Sequence, residues 1–277
     1  MIRESLYFRF NGKDSREFSL LNVSLGEGLY EEPLTGNRVI KKQQVPDNPI
    51  PYVIGVEREP MSFQLRFYFN QGFDDKLIRE ILSWLDVEYY APLSFSSNFD
   101  YVYYAMPVDD LRLIHNGLKE GYVELTMECN SPYRYSPVLS TGWLDFTHEN
   151  EPPPPYDPCK CRLCRRVEYV EAEHELTIDN PGDFDIKPFI QIKKKWDGDI
   201  KIENLSVFNQ TMILSNLKDG EVISIDCDKE YVETNLPNTY RHNDFNEVYL
   251  SIPYGRAKKI KVIGSCHIRI DYEYIYK

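Results

Sequence analysis

The chain has 277 residues, enough for two domains of ordinary size or one large all-β domain. Its 44 acidic against 32 basic residues give a formal charge of −12, so its field repels free nucleic acid, and a DNA-binding enzyme is not expected. No run of about 18 apolar residues is present to span a bilayer, and Met1-Ile-Arg-Glu-Ser-Leu-Tyr-Phe8 lacks the apolar stretch of a secretion signal, so synthesis in the cytosol is expected.

Aromatic residues make up 14% of the chain, 21 of them tyrosine, and this leans the expectation towards strands and interfaces. Ser5 to Phe10 and Phe18 to Leu25 read as two short strands around the Asn11-Gly12 turn. From Gly26 to Pro51 the sequence is polar and broken by proline and glycine, with Val39 and Ile40 its only adjacent aliphatic pair. That passage reads as a long excursion packing against something else. Met61 to Phe69 alternates as a half-buried strand. Asp74 then caps a helix whose apolar face is Leu77, Ile78, Ile81, Leu82 and Leu85, expected to lie across a sheet. Short strands follow at Leu93 to Phe95, Tyr101 to Met106 and Leu111 to His115.

Tyr122 to Cys129 is the firmest strand, with Val123, Leu125, Met127 and Cys129 on one face and Tyr122, Glu124, Thr126 and Glu128 on the other. Asn130-Ser-Pro-Tyr-Arg-Tyr-Ser-Pro137 cannot continue a ladder and closes the unit. The expected division is an N-terminal domain over 1–137, a Pro/Cys-rich linker or insert over 138–168 holding the stiff Pro152 to Pro155 run, and a β domain over 169–277. In the last of these, strands such as Pro188 to Lys193, Asp199 to Asn204 and Val248 to Ile252 are separated by turns such as Asn180-Pro-Gly182. The spacing is that of a sandwich or jelly roll. The fold class is thus mainly β with one amphipathic helix.

Signatures of catalysis are missing: there is no GxSxG turn, no phosphate-cradling glycine loop and no HExxH pair among the five histidines. The six cysteines are too few and too uneven for a disulfide framework. Cys159, Cys161 and Cys164 have ligand character, because three thiolates within six residues can converge on a tetrahedral zinc ion. His148, His174 or a distant cysteine would be the fourth ligand, and the alternative is three reduced thiols in a basic loop. Exposed tyrosines on a β-sandwich open a second reading, a carbohydrate-binding module adhering to the cell wall. Tyr231, Tyr240, Tyr249, Tyr254, Tyr272, Tyr274 and Tyr276 are available, the last three being expected in a core or interface. A glycosidase is the least supported reading.

Three passages resemble the distal tail (Dit) proteins of long-tailed phages that infect Gram-positive bacteria. They are Gly55 to Phe69 with the helix ending Trp84-Leu85 and Pro92 to Phe95; Gly121 to Tyr133; and Ile178 to Gly182 with Lys187 to Ile192, Asp199 to Asn204 and Gly220 to Asp226. The segment from Glu151 to Arg166 is outside that pattern. The resemblance implies a non-enzymatic virion tail protein forming a hexameric ring, with N-terminal domains around a channel and galectin-like C-terminal jelly rolls projecting outward. It implies as partners the tail tube protein, the tape measure protein, the tail-associated lysin hub and receptor-binding or baseplate proteins. DNA would pass through without specific binding, and no membrane is involved.

Overall fold

A computed structural model describes residues 5–22, 33–117, 120–147, 173–208 and 210–277. The chain divides into two units, Met1–Pro137 with Tyr276–Lys277, and Val138–Ile275. No helix among the described residues is long and apolar enough to cross a membrane.

The strands of the first unit include β1 Phe8–Phe10, β2 Lys13–Asp14, β3 Leu20–Asn22, β4 Arg38–Gln43, β5 Tyr52–Arg58, β6 Ser62–Phe69, β7 Ala91–Phe95, β8 Asn98–Pro107, β9 Arg112–His115 and β10 Gly121–Cys129. All but β4 and β5 join one antiparallel sheet, whose main path runs β2-β1-β7-β8-β10-β6-β3, with β9 beside β10. The alternation read from the sequence is realised in β6 and β10. Leu65 faces Leu125 and Phe67 faces Val123 across the ladder, and all four are buried.

Asn11 and Gly12, at φ 48° and 77°, form the expected turn, since a two-residue hairpin whose twist matches the strands needs positive φ. Beyond it the described residues do not continue directly into the expected strand. After Lys13–Asp14 a 3₁₀ turn at Ser15–Phe18 intervenes, because Asp14 and Glu17 form a reciprocal capping box, and Leu20–Asn22 pairs with β6 instead of β1.

Helix α1, Asp75–Leu85, is capped by Asp74, whose carboxylate accepts from the Leu77 amide at 2.8 Å. It buries Ile81, Trp84 and Leu85 on the sheet, while Leu82, expected inside, is exposed. The indole decides the rotation. Trp84 stacks on Phe18 at 4.6 Å and on Phe8 at 5.6 Å, and its Nε1 donates to the Phe10 carbonyl at 2.9 Å, so the ring is packed and its one donor satisfied.

The second unit contains β11 Leu139–Ser140, β12 Leu144–Phe146, β13 Glu173–Asn180, β14 Phe189–Lys194, β15 Gly198–Asn204, β16 Thr211–Leu217, β17 Val222–Asp226, β18 Tyr231–Thr234, β19 Gly255–Ile263 and β20 Cys266–Tyr272. One sheet runs β11-β20-β14-β17-β18 with β12 on β20, and the other runs β13-β19-β15-β16. Both contribute alternate residues, among them Ile190, Ile192, Ile223, Ile225, Ile202, Leu214, Ile260 and Ile268, to a single apolar core, as in a jelly-roll sandwich. Residues 138–147, assigned to the linker in sequence, lie in this unit, because Leu144 and Phe146 pair with Ile268 and Cys266.

Val248 to Ile252 is not the strand its alternation suggests and makes only the bridge from Ile252 to Ile186. Side-chain amides replace a ladder there. Gln210 Nε2 donates to the Tyr249 carbonyl at 3.2 Å, Asn204 Nδ2 to Ser251 at 2.7 Å and Asn180 Nδ2 to Ile252 at 3.1 Å, so these backbone acceptors are satisfied without a neighbouring strand. Asn180 also takes the Gly182 amide on its Oδ1 at 3.1 Å, which builds the Asn-Pro-Gly turn.

Candidate assembly surface and ligand cleft

The described part of the polar passage, from residue 33 to 51, holds β4, which forms a hairpin with β5 just beyond it. β4 pairs with β5 from Arg38↔Arg58 to Gln43↔Tyr52, with a register shift after Lys41. Its base is fixed by the Glu59 amide donating to the Asn37 carbonyl at 2.9 Å. Gly36 is required there, since a Cβ at that position would lie 1.8 Å from the Glu59 carbonyl oxygen.

Every residue of β4 is exposed, and β5 is exposed except at Gly55. Val39, Ile40, Tyr52, Val53, Ile54 and Val56 therefore stand in solvent, Ile54 at 65%. A lone two-stranded hairpin is marginal in water, and a contiguous apolar surface on one marks a contact site. Arg38, Lys41, Lys42 and Arg58 share the hairpin, with Lys41 paired to Glu57. A cationic, apolar arm on a chain of net charge −12 is complementary to an acidic neighbour.

In the second unit, the edge strand β18 and the segment after it form a cleft of about 320 Å³ lined by Tyr231, Glu233, Asn238, Thr239, Tyr240 and His242, among others. Beneath it lies a buried ion pair. Arg241 reaches Glu221 through Nε at 2.8 Å and Nη2 at 2.6 Å, and Asp244 through Nη1 at 2.9 Å. Glu221 also accepts from the Thr234 hydroxyl at 2.7 Å and the Lys218 amide at 2.9 Å. Burial alone would raise the Glu221 pKa, but the hydrogen bonds from Arg241, Thr234 and Lys218 outweigh it and hold the carboxyl below its usual range.

Residues 3–131 match a family described as phage tail protein N-terminal domain, and residues 167–272 one described as phage tail C-terminal domain. The SPbeta prophage-derived protein YomH of Bacillus subtilis strain 168 is 34% identical over 276 residues, covering all of both chains. The chain belongs to this phage tail protein family. The tail protein also shares its fold with the Dit protein of phage SPP1, a hub of the adsorption apparatus in phages infecting Gram-positive bacteria. The TM-score is 0.60 at 13% identity over 97% of this chain and 98% of that one. A chain of the phage P2 baseplate, in its activated conformation with calcium, aligns with a TM-score of 0.53 at 10% identity over 96% and 97%. The tail protein is thus a mainly β structural component of the phage tail with the Dit fold, as the sequence resemblance implied.

Cys159, Cys161, Cys164 and His148 lie outside the described residues of the tail protein. The described cysteines, Cys129, Cys227 and Cys266, are buried in the two cores, and burial pushes each thiol up to about 12, so none presents a thiolate at neutral pH. Among the described residues no group of three or more His, Cys, Asp or Glu could hold a metal. The ring of His174 stacks on Phe146 at 4.6 Å, and its buried Nε2 has no hydrogen-bond partner among the described residues. Tyr249, Tyr272 and Tyr274 pack against the core of the second unit, Tyr276 packs on Tyr101 at 5.4 Å, and Tyr231, Tyr240 and Tyr254 are exposed. Neither the hairpin nor the Arg241–Glu221 pair was visible in sequence. The one available signal for the hairpin was Tyr52-Val-Ile-Gly-Val56, a β-rich run just past the Pro49 and Pro51 breaks.

Proposed function

We propose that the protein is the distal tail hub: six copies close into a ring that joins the tail tube to the baseplate and lets the genome pass. The observation that carries this reading is the β4–β5 hairpin, an arm with apolar residues in solvent and no core of its own, suited to reaching an adjacent copy. Net acidity would leave DNA phosphates little to grip within such a channel. The jelly-roll unit would project outward, and the tail tube protein, tape measure protein, tail-associated lysin hub and receptor-binding proteins would be the neighbours. The role is non-enzymatic. Replacing residues 38–58 by two glycines and imaging the purified chain by negative stain tests the arm. Six-fold rings from the intact chain and none from the replacement are expected, and rings from both would refute it.

Cys159, Cys161 and Cys164 stand as a proposed zinc site, with the fourth ligand from His148, from a distant cysteine or from His174, whose Nε2 has no hydrogen-bond partner among the described residues. Elemental analysis of purified protein would then give about one zinc per chain, lost in Cys161→Ser, and absence of zinc from the intact chain would remove the idea.

A further inference from the structure

We propose that the cleft beside β18 binds an uncharged carbohydrate of the bacterial cell wall, with Tyr231 and Tyr240 as the surfaces on which sugar rings stack. Two of the tyrosines available from the sequence converge on one depression although eight residues lie between them. Tyr240 is 85% exposed and Tyr231 is 55% exposed, and an aromatic face held open to water suits the apolar face of a pyranose ring.

The exposure is built into the fold. Arg241, next in the chain to Tyr240, is itself buried and locked by Glu221 and Asp244, so the backbone carrying Tyr240 is anchored beneath the cleft while its ring is turned outward. At the far end of the loop's path, Asn235 is tied back to β17, its Oδ1 accepting from the Val222 amide at 2.9 Å and its own amide donating to the Val222 carbonyl at 3.0 Å. A loop fixed at both ends loses little freedom when a ligand arrives.

The lining selects the ligand. Glu233, Asn238, Thr239 and His242 offer acceptors and donors to hydroxyl groups, as sugar recognition needs. Arg241 is the one arginine or lysine of the lining, and its charge is consumed by two carboxylates, while Glu233 adds a negative charge. A phosphate-rich polymer would therefore meet repulsion instead of a cation. The volume of about 320 Å³ is at the small end of ligand clefts, fitting one or two rings and not the broad face a protein partner requires. This inference is independent of ring formation.

The test is cosedimentation of the full chain with protein-free Bacillus subtilis cell walls, used intact and after hydrofluoric acid has stripped the wall polymers. The wild type is expected to pellet saturably. The Tyr231→Ala/Tyr240→Ala variant should bind at least tenfold more weakly with an unchanged melting temperature, since both rings are exposed. Binding retained on stripped walls assigns the ligand to the peptidoglycan glycan and supports the proposal, whereas binding lost on stripping assigns it to the phosphate-linked wall polymers and contradicts an uncharged ligand. No pelleting with either preparation, or equal pelleting of the variant, overturns it. Failure of the variant to assemble into tails, with no wall binding by the wild type, would mark the cleft as a contact for a tail protein and overturn it equally.

Discussion

The β4–β5 hairpin and the β6–β10 pair are both antiparallel ladders of the first unit, yet they relate to their surroundings in opposite ways. In β6 and β10 every second side chain turns onto a core completed by α1, so the apolar complement is supplied by the same chain. In the hairpin the apolar residues have no such complement among the described residues and stand exposed beside four cations. The first arrangement makes a stable unit; the second makes a surface that is finished only by association. Substitutions in the two regions should accordingly separate stability from assembly.

The largest effect is expected at the core that the hairpin lacks. Trp84→Ala removes the ring stacked on Phe8 and Phe18 and should cost about 3–5 kcal/mol in urea unfolding, with the first unit losing its cooperative transition. The second unit offers a polar counterpart. Arg241→Ala leaves Glu221 buried and unpaired and should cost about 3 kcal/mol or more. Its pH dependence follows from the depressed Glu221 pKa: the stabilisation is complete above the ordinary value of 4.5 and is lost as the pH falls through the lower folded value. Glu221→Gln should therefore flatten the acid limb of a stability profile followed by tryptophan fluorescence; an unchanged limb would contradict the assignment.

Gly36→Ala sharpens the comparison at the point where arm and unit meet. The added Cβ collides with the Glu59 carbonyl, so a loss of about 1–3 kcal/mol and a reoriented hairpin are expected, seen as faster proteolysis between Asn37 and Glu59. The smallest effect on folding belongs to the arm. Val53→Ser with Ile54→Ser should change unfolding by no more than about 0.5 kcal/mol, since both side chains are already exposed, while weakening self-association strongly.

The same contrast explains what could be read in advance. The alternation of Tyr122 to Cys129 and the cap and stripe of α1 were legible because the partner of each buried residue lies within the chain and the period of the pattern reports it. Leu82 is expected inside because a stripe of leucine and isoleucine fits two neighbouring rotations of the helix, and Trp84 takes its place in the core. The choice was made by the Phe10 carbonyl, 74 residues away. The strand expected at Val248 to Ile252 failed for a related reason, its carbonyls being taken by the distant amides of Asn180, Asn204 and Gln210. The hairpin was illegible because its pattern is not amphipathic: both faces carry aliphatic and basic residues. The family resemblance fared better than the local pattern, since it drew on passages spread over both units.

Sedimentation velocity of the purified full chain beside the Val53→Ser/Ile54→Ser variant measures whether the hairpin joins copies of the protein. A single closed oligomer for the wild type, falling to monomer in the variant at equal thermal stability, is the predicted result. A wild type that stays monomeric at high concentration, or a variant that associates equally well, would contradict the account.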